Sequence, residues 1–324
     1  MGFYEKSFET IKQNKLKNGK TIKDSSILDY LRNIKKISKE LFDVDKPTVN
    51  YFADYDSVAE YMDGIANPFS RKMMCTSIIV LIESSKIKKV VKDKYKEYQK
   101  KLALFNDGVY RENEKSSKEE INWITREEIQ EVIDNSLLRA RNPGQGSNRQ
   151  QVDYFQQYLV LNLYFQLPPI RNDYANVKII DKEVKDTPLC SLDTEFNYVN
   201  FFDNTLYLCV YKTAKFYGTQ KIPIPESLMS IIKEYQSLKK EKLNYTGPFM
   251  LINTTNLTKM NGNTLTKYLN KIFKPKKVST TILRKVYLSE KYPISHSLRE
   301  MEMDAKCMGH DILTARKIYT KKLN

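Results

Sequence analysis

Between Thr280 and Asn324 the chain carries Arg284, the pair Gly309-His310, and Tyr319. Together these side chains suit transfer of a phosphodiester to a phenol. The phenol would attack phosphorus, and the two nitrogen donors would hold the charge that builds on the phosphoryl oxygens. A free phenol, with a pKa of about 10, is a poor nucleophile at neutral pH. Arginines set against the phosphate change that, because they neutralise it and favour negative charge on the incoming oxygen. His310 would donate to a non-bridging oxygen or assist proton transfer. Such a set needs no metal and no ATP. One at a time these residues are ordinary: Tyr319 is one of 22 tyrosines, and a lone arginine is more often a surface ion-pair former. Order and spacing carry the reading, with 26 positions from Arg284 to His310 and nine from His310 to Tyr319.

Short helices must position this set. Ile282, Leu283, Val286 and Tyr287 recur at helical spacing and share an apolar face, which leaves the Arg284 guanidinium to point elsewhere. Met308-Gly309-His310-Asp311 ends one helical pattern and starts another, Gly being the usual residue past a helix end and Asp a good cap.

The set resembles the C-terminal signature of the tyrosine recombinases of the phage-integrase type. That signature is an Arg in a His-x-x-Arg box, then Leu-Gly-His, then a Tyr in a segment like Thr-x-x-x-Tyr. The matching residues are Arg284, Met308-Gly309-His310, and Thr314-Ala-Arg-Lys-Ile-Tyr319, where four residues in place of three separate Thr from Tyr; the Arg-to-His and His-to-Tyr intervals are usual for the family. Thr281 stands where the box usually has His. His296-Ser-Leu-Arg299 spells the box letter for letter, but only 11 positions then remain before His310, too few for the two helices that normally intervene. Trp123-Ile-Thr125-Arg-Glu-Glu128 is similar to the Leu-Thr-x-Glu-Glu opening of the family's catalytic domains.

The resemblance implies further assignments. The first catalytic arginine becomes Arg171, after a helix and before a sheet, with Asp173 as the carboxylate that orients it. A lysine on a sheet hairpin would protonate the leaving 5′ oxygen. Lys212 and Lys215 compete for that role, since counting back from Ile222-Pro223 favours Lys215 and the local Lys-Thr pattern favours Lys212; of the two, Lys215 is the first choice. The implied fold is mainly α with a small β-sheet: an N-terminal helical core-binding (SAM-like) domain followed by a mixed α/β catalytic domain. The implied activity is site-specific recombination through a 3′-phosphotyrosyl intermediate, with double-stranded DNA as partner, a homo-tetramer assembled on it, and no cofactor. The alternatives are a type IB topoisomerase using the same chemistry and a DNA-binding protein without catalysis. Only five residues follow Tyr319, where many family members extend into a helix that docks on a neighbour. Protomers would then interlock through the tyrosine helix or through contacts elsewhere.

Composition agrees with a polyanionic partner: 54 Lys+Arg against 39 Asp+Glu give a net charge of +15 over 324 residues. No apolar run approaches membrane-spanning length. The four cysteines stand singly with no Cys-x-x-Cys, and with two histidines no zinc site is expected. Reduced thiols and an intracellular setting follow as expectations, in a prokaryotic cytoplasm or in the nucleus or viral factory of a eukaryotic host. Mobile elements and viruses are the usual sources of such enzymes.

Along the chain, residues 1–24 read as a basic arm, 25–105 as the helical domain, 106–120 as a polar linker and 121–324 as the catalytic domain. Capping boxes are expected at Ser26-Ile-Leu-Asp29, Ser57-Val-Ala-Glu60 and Thr125-Arg-Glu-Glu128. Pro168-Pro169 stops an aromatic-rich helix over 152–167. Strands are expected over 177–180, 198–202, 206–211 and 221–224, with turns at 202–205 and 216–219.

Overall fold

The structure, a computed structural model, describes residues 2–19, 22–111, 114–144, 146–183, 195–292 and 298–321. It is mainly α with a small mixed sheet, and it divides into two compact units, Met1–Glu112 and Asn113–Asn324.

In the first unit, α1 (Phe3–Lys17), α2 (Asp24–Phe42), α3 (Tyr55–Asp63) and α5 (Lys89–Arg111) accompany α4 (Pro68–Ile82). Helix α4 is apolar on most of its surface and sits in the core, where Met74, Cys75, Ile78 and Leu81 pack with Ile34, Ile37, Phe52, Val58, Met62 and Tyr95. Each such side chain contributes roughly 1.5–3 kcal/mol by burial. Residues 3–17, expected to lie in a basic arm, are a helix. Ile11 is buried against Ile27, Leu31 and Val80, an apolar contact that the lysine-rich composition masked. Two expected caps also move. Helix α2 begins at Asp24, ahead of Ser26, and α3 is capped by Asp54, whose carboxylate accepts from the Ser57 amide at 3.3 Å.

The polar stretch 106–120 is shorter as a connection than its composition indicates. Helix α5 continues through it to Arg111, and a capping box formed by Ser116 and Glu119 starts α6 (Ser117–Asn122). The Thr125–Glu128 box is present and opens α7 (Arg126–Arg141). Helix α8 (Asn148–Gln166) begins earlier than expected because Ser147 and Gln150 cap it, and it ends before the two prolines. Its buried face, with Phe155, Leu159 and Leu163, forms the centre of the second unit's core.

A four-stranded sheet follows in the order β1 (Val177–Ile180), β2 (Asn197–Asn200), β3 (Thr205–Leu208), β4 (Gln220–Pro223). Strands β1 and β2 are parallel, and the other pairs antiparallel. Val199 pairs with Leu206 on the core side, while Tyr198 and Tyr207 cluster on the other face. Between β3 and β4 the chain forms one short helical turn, α9 (Ala214–Tyr217), and reverses at Gly218, whose φ of +65° suits glycine. Helices α10 (Glu226–Leu243), α11 (Gly262–Ile272), α12 (Thr280–Lys291) and α13 (Leu298–Cys307) complete the unit, with a two-stranded ribbon of β5 (Ile252–Asn253) and β6 (Thr258–Lys259).

Among the described residues no helix is long and apolar enough to cross a membrane. Cys75 and Cys307 are free, but Cys209 is disulfide-bonded, which corrects the expectation of four reduced thiols. Isolated cysteines give no spacing signal for pairing, because the fold alone brings half-cystines together.

Candidate active site

Helix α12 and the turn at Gly309-His310 meet at Tyr319, and Arg171 and Thr213 reach the carbonyls of that turn. Helix α12 supplies Arg284, which is only 1% exposed although a free-pointing guanidinium was expected. Its neighbours Leu283, Lys285 and Val286 are buried too, so this part of α12 is enclosed on most sides. The Arg284 Nη1 donates to the Tyr319 hydroxyl at 2.7 Å, and the guanidinium carbon lies 4.2 Å from the ring centroid. Its Nη2 reaches the Met308 carbonyl at 3.4 Å. The Nε has no partner, and among the described residues Arg284 makes no ion pair. Burial lowers its pKa to about 10, with Tyr319 opposing the shift and Arg171 adding to it. A buried cation whose one anionic neighbour, Asp173, acts on it without direct contact is costly, and an oxyanion brought to it would offset that cost.

The loop after α13 supplies His310. The His310 amide donates to the Ala305 carbonyl at 3.0 Å and the Gly309 amide to the Lys306 carbonyl at 2.9 Å, a Schellman closure around Gly309 at φ +70°. A Cβ at position 309 would lie 3.0 Å from Thr213 Oγ1 and 3.1 Å from the Tyr211 ring, so glycine is required for both conformation and space. The turn aims its last carbonyls at the arginines: Arg171 Nη1 lies 3.4 Å from both the Met308 and the Gly309 carbonyl oxygens.

His310 is 4% exposed and stacks on Tyr319, with ring centroids 4.8 Å apart at 11°. Its Nδ1 faces the Asp311 carbonyl at 3.3 Å, and its Nε2 is buried without a partner. Burial, reinforced by Arg284, pushes its pKa down to about 4, so at neutral pH it is an uncharged imidazole. Asp311 accepts from the Thr314 amide at 2.9 Å and so caps the next turn, as expected from its position after Gly309-His310.

That next segment is a π-type turn over Ala315–Tyr319, closed by the Thr320 amide on the Ala315 carbonyl at 2.9 Å. Widened turns of this kind are frequent at functional sites. Tyr319 packs against a small apolar cluster of Leu288, Tyr292, Met301, Ala305, Met308 and Ala315.

Arg171 follows the two prolines, its carbonyl accepting from Tyr164 Oη at 3.0 Å. Asp173 lies close enough to feel both arginines. Burial raises its pKa, and Arg171 and then Arg284 oppose the rise. Among the described residues its carboxylate makes no hydrogen bond or ion pair with Arg171, so contact with that guanidinium is electrostatic only.

The structure does not bring every candidate together. Thr281 is exposed and lines a depression of about 380 Å³ with Glu119, Asn122 and Lys277, away from the phenol. Lys212 and Lys215 are both exposed on the β3–β4 connection, and the Lys215 ammonium sits 4.9 Å from the Phe216 ring centroid. That connection reaches the cluster through Thr213, whose hydroxyl donates to the Gly309 carbonyl at 2.6 Å. Thr213 and Ser289 give no signal in the sequence, because small hydroxyl residues carry no pattern of their own. His296 of the rejected box lies outside the described residues.

No protein-family model and no curated protein matches the chain. Among solved structures it is similar to the crystal structure of XerA recombinase, at 12% identity and a TM-score of 0.40, covering 98% of this chain and 94% of that chain. At that distance the functional reading rests on the side-chain geometry of this chain.

Proposed function

We propose that this protein breaks and rejoins double-stranded DNA as a tyrosine recombinase, forming a 3′-phosphotyrosyl intermediate on Tyr319. The observation that carries the reading is the 2.7 Å bond from the buried Arg284 to the Tyr319 hydroxyl, with Arg171 and His310 gathered around the same turn. Arg284 and Arg171 would hold the non-bridging oxygens of the scissile phosphate and favour phenolate character at Tyr319. With its single N–H on Nδ1 toward the Asp311 carbonyl, the uncharged His310 would offer its unpartnered Nε2 as the base for the Tyr319 proton, and would donate from Nε2 to a non-bridging oxygen once that proton is taken. The phenol gives its proton to His310 Nε2 as its oxygen bonds to phosphorus, the bond to the 5′ oxygen breaks, and a lysine of the β3–β4 connection, Lys212 or Lys215, gives the leaving oxygen its proton. Bond energy stays in the phosphotyrosyl ester, so a 5′ hydroxyl from another strand can reverse the step. The N-terminal helical unit would serve as a second grip on the duplex, and the excess of positive charge favours that partner. Four protomers on two duplexes, inside the cell where the target DNA resides, complete the proposal.

The test is incubation with nicked suicide duplexes carrying sequence from the DNA flanking the gene, followed by a denaturing gel, with Tyr319→Phe alongside. A denaturant-stable protein–DNA band that requires Tyr319 is expected. If random genomic fragments also give no band while salt-sensitive DNA binding persists, the protein is a binding module. Relaxation of plasmid without site preference would instead assign it to the type IB topoisomerases.

A further inference from the structure

We infer that Ser289 is a positioning residue for the nucleophile, an assignment that rests on the recombinase reading only for its catalytic consequence. Ser289 lies on α12 five residues after Arg284 and is 1% exposed. Its hydroxyl accepts from the Lys321 amide at 2.6 Å and faces the Tyr319 carbonyl as donor at 3.4 Å. It therefore clasps the backbone on both sides of Thr320, just past the nucleophile. One helix thus fixes Tyr319 at two points, the hydroxyl through Arg284 and the main chain through Ser289.

The clasp is needed because of how the segment is built. The π-type turn leaves the last residues without the regular helical ladder, and the main chain at Thr320 turns extended. Thr320 is tied back to the Ala315 carbonyl by both its amide, at 2.9 Å, and its hydroxyl, at 3.2 Å. Those bonds are internal to the segment and do not anchor it to α12. Lys321 is 5% exposed despite its charge, so the chain here is drawn inward rather than frayed. The two hydrogen bonds of Ser289 join the main chain at Tyr319 and Lys321 to α12. Losing the hydroxyl would leave a buried amide unpaired and free the phenol to swing about its contact with Arg284.

The test has two arms, of which the first needs no DNA. The chain has two histidines, so the His310 ring protons are readily assigned by NMR, and the stacked Tyr319 ring shifts them. In Ser289→Ala those signals should move toward their positions in Tyr319→Ala, and Ser289→Thr, which keeps the hydroxyl, should return them toward wild type. In the second arm, covalent complex formation at saturating duplex should slow roughly 10- to 100-fold in Ser289→Ala, as expected for a misplaced reacting group. Duplex affinity should hold in Ser289→Ala, and Ser289→Thr should recover the rate. His310 signals that stay at wild-type positions in a folded Ser289→Ala overturn the inference, as does an unchanged rate. If Ser289→Ala does not fold, Ser289→Cys, which keeps a weak donor, takes its place in both arms. A wild type that never forms the adduct sinks the recombinase reading, while the NMR arm still decides the role of Ser289.

Discussion

The Arg284 guanidinium meets Tyr319 twice, donating to its hydroxyl at 2.7 Å and lying 4.2 Å from its ring centroid, from a position that is 1% exposed. Burial and the lack of an ion pair make this arginine expensive for the fold, which separates its contribution to stability from its contribution to chemistry. Replacing a whole buried ion pair by apolar side chains is often neutral or stabilising, by about 1–4 kcal/mol, and removal of one partner costs stability only where it strands a charge; among the described residues no carboxylate is in contact with Arg284 to be stranded. Arg284→Met is therefore expected to hold or raise the denaturant midpoint while covalent complex formation drops by about 10²–10³-fold. Arg284→Lys should not restore the rate, because an ammonium lacks the planar fork that meets the phenol and, on the proposed mechanism, would meet a phosphate as well. Equilibrium unfolding and single-turnover trapping measure the two effects.

His310 gives a pH signature. Its folded pKa of about 4 lies below the ordinary histidine value, mainly through burial and then through Arg284. Between about pH 6.5 and 4 the unfolded chain binds the proton that the folded chain refuses, so stability falls as pH falls through that window. The loss is on the order of 3 kcal/mol, from about 1.4 kcal/mol per pH unit. It should be visible as the difference between wild type and His310→Gln in melts across that range, since other groups titrate in both. His310 ring signals that titrate near pH 6.5 would contradict the buried, uncharged imidazole.

Gly309 joins the site to the sheet. Its left-handed backbone conformation and the 3.0 Å approach of Thr213 Oγ1 to a Cβ built there predict that Gly309→Ala strains both the helix closure and the β3–β4 connection. A cost of roughly 1–3 kcal/mol is expected for a non-glycine residue held in that region. Thr213→Val removes only the 2.6 Å bond to the Gly309 carbonyl, so it should destabilise less. Urea unfolding of the two variants ranks them, and a larger loss in Thr213→Val would show that the hydroxyl bond outweighs the backbone demand.

Much of this site is legible in the sequence because its residues sit at helix boundaries, where local chemistry is loud. Gly309 and Asp311 announce a stop and a start, the prolines after Leu167 end α8, and the strands near 177, 198, 206 and 221 show in their apolar alternation. Other features depend on what folding brings together. The burial of Arg284 follows from α12 being enclosed on nearly every side, which a one-faced apolar pattern does not reveal. The packing of α1 hides behind its lysines, and the Ser289 clasp joins residues 32 positions apart through a hydroxyl with no motif. Cap positions are ambiguous in the sequence where acidic and hydroxyl residues crowd, as at Asp54 and Ser57, because either can accept from the first-turn amides.

The last choice the geometry sharpens is between the two lysines. Thr213 and Tyr211 press on Gly309 from the β3–β4 connection, and Lys212 stands between them, whereas Lys215 lies on α9 beside the exposed Phe216. The backbone of Lys212 is thus pinned against the turn that carries His310, so Lys212 is the expected general acid. A general acid is required only while the leaving oxygen is a poor leaving group. Lys212→Ala should slow cleavage of an ordinary duplex by about 10²–10⁴-fold. On a duplex whose scissile 5′ bridging oxygen is replaced by sulfur, which departs as a thiolate, the same variant should cleave close to the wild-type rate. Lys215→Ala should lose less on the ordinary duplex and gain nothing selective from sulfur. Selective rescue of Lys215→Ala in its place would move the acid to α9 and make the Thr213 contact a matter of support alone.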